Sequence, residues 1–106
     1  RFMISVLNPG EAQEQRAPDL NVATLEEMFE PQNLDVELDL NIINGLGWFL
    51  EQGSIPGSGW VVRHEGNTLA FSSELILLPE QGLGVAVLAN DSAALDIVSR
   101  LGEVIF

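Results

Sequence analysis

From Gly45 onward the sequence breaks into apolar runs too short to be helices, each closed by turn chemistry. Gly47 to Glu51, Trp60 to His64, Phe71 to Leu78 and Gly84 to Asn90 are of strand length. Gly53-Ser54-Ile55-Pro56-Gly57, Gly66-Asn67 and Pro79-Glu80-Gln81-Gly82 divide them. The loop between the last two strands is short, which predicts an antiparallel hairpin. Ile76, Leu77 and Leu78 are consecutively apolar, as are Val85 to Ala89, so both faces of this sheet need cover. After Asn90-Asp91-Ser92, a capping cluster, apolar residues recur at Ala94, Ile97, Val98, Leu101, Val104 and Ile105. That spacing predicts a C-terminal helix lying on one face of the sheet. The expected class is therefore α+β, an antiparallel sheet with a C-terminal helix packed on it.

The segment before the sheet is more broken. Phe2, Met3, Val6 and Leu7 have helical spacing that Asn8-Pro9-Gly10 would stop, so residues 1–8 read as the end of a helix. Residues 9–44 read as loops with one short helix. Glu11 to Asn21 is polar and aperiodic, whereas Thr24-Leu25-Glu26-Glu27 matches a capping box, with the helix ending before Pro31. The sheet is expected over residues 45–90 and the last helix over 91–106. The two leading helices are too small to cover the second face of the sheet, so apolar surface should remain exposed.

The 106 residues suit one domain or part of one, and 46% of them are hydrophobic. Sixteen carboxylates oppose four arginines, for a net charge of −12. Such a surface repels phosphate backbones and anionic headgroups, which argues against nucleic acid and membranes as partners. No apolar run approaches the roughly 20 residues that span a bilayer. Cysteine is absent, removing disulfides, thiolate metal sites and cysteine nucleophiles together. Asp35, Glu37 and Asp39 echo the start of a calcium loop, but Leu40 stands where its glycine belongs and Leu46 where its last glutamate belongs, so no metal is expected. Nothing pairs Glu26, Glu27 or Asp35 into an acid and a base of opposed protonation. Without a base beside them, Ser72 and Ser73 read as ordinary strand serines, not nucleophiles.

One succession carries more information. Met28-Phe29-Glu30-Pro31-Gln32, Gly45-Leu46-Gly47-Trp48, His64-Glu65-Gly66, Phe71-Ser72-Ser73, Leu78-Pro79-Glu80 and Val87-Leu88-Ala89-Asn90 follow one another in order and spacing. From Thr24 to Phe106 this resembles the C-terminal part of the serine β-lactamase and penicillin-binding-protein family, in its class C and related esterase branch. Arg1 to Glu11 is similar to the family's preceding helix and turn. In that family Ser-x-x-Lys carries the nucleophile, Tyr-x-Asn or Ser-x-Asn the relay, and Lys-Thr-Gly or His-x-Gly edges the pocket. Only the third has a match, His64-Glu65-Gly66. The chain has neither lysine nor tyrosine, so the resemblance implies the last third or so of such a hydrolase. Its non-Met start at Arg1 fits an excised piece.

By this resemblance the backbone amide of Asn67 is one oxyanion-hole donor and the missing serine offers the other. Gly66, without a Cβ, lets substrate lie close to the strand. His64 contacts the relay or a polar group of the substrate, and an imidazole anchors anions less well than a lysine ammonium, which favours esters or D-amino-acid peptides over a carboxylate-bearing β-lactam. Glu65 adds negative charge at the pocket edge. Family members often have glycines where this chain has Glu65 and Asn67, and Ala70 is a further departure. The isolated chain is expected to turn nothing over. No cofactor is implied, and the expected partner is the missing N-terminal part or a second copy. The alternative reading is a non-catalytic interaction module that binds a partner through an uncovered face or edge of the same half-sheet.

Overall fold

The computed structural model describes residues 2–8, 21–36 and 40–106. Five strands form one antiparallel sheet in chain order: β1 (Ile43–Asn44), β2 (Phe49–Gln52), β3 (Trp60–Asn67), β4 (Ser72–Leu78) and β5 (Leu83–Ala89). Helices α1 (Phe2–Leu7) and α2 (Val22–Met28) precede it, and α3 (Leu95–Val104) follows. The expected α+β architecture with its C-terminal helix on the sheet is what the chain adopts.

Register assigns every strand residue to a face. Leu50, Val62 and Leu77 stand abreast, and with Val6, Leu25 and Trp48 they form the core beneath α1 and α2. On the opposite face Val61, Ile76 and Leu78 pack with Ile55 and Val85 on the side of α3. Both faces of the central strands are thus covered, as their unbroken apolar runs require.

Several local expectations change. Helix α2 is capped by Asn21, whose Oδ1 accepts from the Thr24 amide at 2.9 Å, so Thr24 sits inside the first turn rather than at the cap. The second strand begins at Phe49, not Gly47, because Gly47 takes a left-handed φ of 79° in the turn that leads back to β1. Residues Ile43–Asn44, expected in a loop, pair with β2. Strand β3 does not end at His64: Gly66 and Asn67 pair with Ser73 and Ser72, and the chain reverses over Thr68 to Phe71 instead. Glu11 to Leu20, Glu37 and Asp39 lie outside the described residues.

The largest change concerns α3. Its sheet-facing stripe is Leu95, Val98, Ser99 and Gly102, whereas Ile97, Leu101, Val104 and Ile105 are 50–82% exposed. Two contacts explain the rotation. A Cβ on Gly102 would meet Ile76 Cδ1 at 2.7 Å, so glycine alone allows this close approach. One turn earlier, the Ser99 hydroxyl donates to the carboxylate of buried Glu74 at 2.9 Å. Arg63 binds one oxygen of that carboxylate and Ser99 satisfies the other, so the buried acid favours the polar side of the helix turning inward.

Candidate functional site

Strand β3 is held on both sides at Val62 and Arg63 and by β4 alone beyond them. β2 pairs with Trp60 to Arg63 and ends there, while β4 pairs with Val62 to Asn67. Antiparallel ladders alternate the direction of their hydrogen bonds, and two bonds fix the phase here. The Gly53 amide donates to the Gly59 carbonyl at 3.0 Å, and the Thr68 amide donates to the Phe71 carbonyl at 2.9 Å. Even-numbered β3 residues therefore direct their backbone groups at β4, and odd-numbered ones at β2. For Glu65 and Asn67 no β2 residue is there to meet them. Among the described residues, no backbone bond from the Gly45–Trp48 turn reaches either one.

The side chains around this open edge divide between the two faces. His64 is exposed on the face of α1 and α2, with its ring edge-on to Trp48 at 6.2 Å and tilted against Phe49 at 6.4 Å. It borders a shallow groove of about 190 Å³ shared with Asn44, Gly45 and Gly47. Glu65 is exposed on the other face and lines a second groove, of about 360 Å³, with Ile42, Ile43, Phe49, Glu51 and Arg63. A Cβ on Gly66 would meet the Ser73 hydroxyl across the ladder, which would have to turn aside to make room. The Asn67 side chain donates to the Ser92 carbonyl at 3.0 Å, tying the strand end to the segment that enters α3. Sequence reasoning thus brought together four residues that do share one strand end, with His64 and Glu65 on opposite faces.

A buried ion cluster, missed in the sequence, anchors this strand. Arg63 Nε donates to Glu74 Oε1 at 2.9 Å, and its Nη1 reaches Glu51 and Glu103 at 3.1 Å each. The Glu74 side chain is fully buried, and Ser99 donates to its other oxygen. Burial works against the arginine charge, but the Glu74 hydrogen bond and the carboxylates of Glu74, Glu51 and Glu103 outweigh it and hold the guanidinium pKa above its ordinary value. The only sequence signal was one arginine inside an apolar strand and one glutamate in the next, and the register, which pairs Arg63 with Ile76 and Glu65 with Glu74, shows that they are diagonal neighbours on one face. Among the described residues, no cluster of three or more histidine, aspartate or glutamate side chains could hold a metal ion. No helix among them is long and apolar enough to cross a membrane.

No protein-family model matches this chain, and no match to it is found among curated proteins.

Proposed function

We propose that this chain is the C-terminal segment of a β-lactamase-like serine hydrolase, acting on esters, D-amino-acid peptides or β-lactams through an acyl-enzyme, and that β3 is its pocket edge. The observation that carries the reading is the open half of β3. An oxyanion needs donors that are already aimed and not consumed by a ladder, and the Asn67 amide points outward beyond the last paired residue of β2. A neighbouring Ser-x-x-Lys element supplies the nucleophile and the second amide. As the serine oxygen adds to the acyl carbon, charge on the carbonyl oxygen is met by the Asn67 amide, and loss of such a donor costs about 3–4 kcal/mol. His64, stacked edge-on against Trp48, presents its imidazole beside that edge for a relay hydroxyl or a polar group of the substrate.

The complete reading frame that contains this segment tests the proposal. A Ser-x-x-Lys upstream of Arg1, and capture of that serine by a fluorophosphonate in the complete protein, are expected. A frame without such a motif, or a complete protein that no acylating probe labels, rules it out.

A second reading is favoured by a different surface. The outward stripe of α3, with Ile97, Leu101, Val104 and Ile105 all at least half exposed, forms apolar surface in a chain of net charge −12. An interaction module would use it for the missing N-terminal part or a second copy. Light scattering distinguishes them for the isolated chain: association that strengthens with salt, and is lost in Leu101→Glu, supports docking through α3.

A further inference from the structure

We propose that Glu65 is a specificity-determining residue that selects substrates carrying a cationic group on the leaving-group side of the scissile carbonyl; this rests on the reading of β3 as the pocket edge. The phase of the ladder sets what this edge can bind. Glu65 and Asn67 both direct backbone N–H and C=O groups at the open edge. An extended acyl substrate can therefore add as an antiparallel strand, exchanging hydrogen bonds with both residues.

Let the residue whose carbonyl meets the Asn67 amide be the acyl residue. In an antiparallel pairing the substrate then runs opposite to β3, so the residue two positions toward its C-terminus lies directly across from Glu65. Residues directly across a ladder share a face, with Cα atoms about 5.5 Å apart in a hydrogen-bonded pair. The substrate side chain or terminal group at that position consequently projects beside the Glu65 carboxylate, over the 360 Å³ groove that Phe49, Glu51 and Arg63 also line.

Charge in this groove favours a cation. Arg63, its one basic residue, is already bound by Glu51, Glu74 and Glu103 and has no claim on an incoming anion. Glu65 makes no ion pair among the described residues. A carboxylate directly across from Glu65 would be repelled, and an ammonium or guanidinium would gain a cross-strand pair and could lay its methylenes along Phe49. An exposed pair of this kind gives only about a three- to fivefold preference at low ionic strength, falling with salt.

The test uses the 106-residue chain and the acetylated tripeptide amides Ac-Ala-Ala-Lys, Ac-Ala-Ala-norleucine and Ac-Ala-Ala-Glu, titrated by amide NMR. The expected result is perturbation of the Glu65 and Asn67 amides by the lysine and norleucine peptides, with the lysine peptide about three- to fivefold tighter and the glutamate peptide weakest. In Glu65→Gln the lysine peptide should fall to the affinity of the norleucine peptide. Equal affinities for all three peptides, or a lysine preference that survives Glu65→Gln, overturn the role of Glu65 while leaving the open edge as a docking site. Absence of any perturbation at Glu65 and Asn67 overturns edge docking and counts against the pocket-edge reading as well.

Discussion

Arg63 Nε and Glu74 Oε1 meet at 2.9 Å inside the sheet, one residue before His64 in the chain. The pair joins β3 to β4 just where β2 stops pairing, and Glu103 and Ser99 extend the cluster to α3. Removing one partner leaves an uncompensated buried charge. Arg63→Met or Glu74→Leu alone should cost about 3–5 kcal/mol in urea unfolding, and the double substitution should recover much of that. Additive losses would show that the two side chains are not coupled.

The approach of α3 to the sheet depends on Gly102. Because an added Cβ would meet Ile76 Cδ1 at 2.7 Å, Gly102→Leu must push the helix outward and should cost about 1–3 kcal/mol. Leu101→Gln, on the exposed side of the same helix, should stay within about 0.5 kcal/mol in a monomeric sample. Equal losses would mean that the helix is turned the other way, with its apolar wheel inward.

Helix α2 provides a smaller and sharper comparison. Asn21→Ala should lower stability by about 1 kcal/mol, since the Asn21 side chain receives both the Thr24 amide and the Thr24 hydroxyl. Thr24→Ala removes only the hydroxyl bond and should cost less. The reverse order, read from thermal melts, would restore Thr24 as the cap.

These cases show what a linear pattern can and cannot carry. The β4–β5 hairpin was legible because Ile76 to Leu78 and Val85 to Ala89 are unbroken apolar runs around a Pro79-to-Gly82 turn, and nothing in the fold competes with that signal. The end of β3 was not, since Gly66 and Asn67 have turn composition and are kept in the sheet only by their partners Ser73 and Ser72. The α3 wheel located the helix but not its buried side. Hydropathy ranks Leu101 above Ser99, whereas the Glu74 carboxylate needs the serine. His64, Glu65, Gly66 and Asn67 were singled out by resemblance. That two of them expose their backbone groups follows from where β2 ends, which is a property of pairing and not of any one residue.

Amide hydrogen exchange along β3 of the isolated chain tests the central claim most directly. Groups bonded to β4 are protected and those aimed at the open edge are not, so the account predicts slow exchange at His64 and Gly66 and fast exchange at Glu65 and Asn67. An Asn67 amide as well protected as that of Gly66 would mean that the edge is already occupied, and would contradict its assignment as an oxyanion donor.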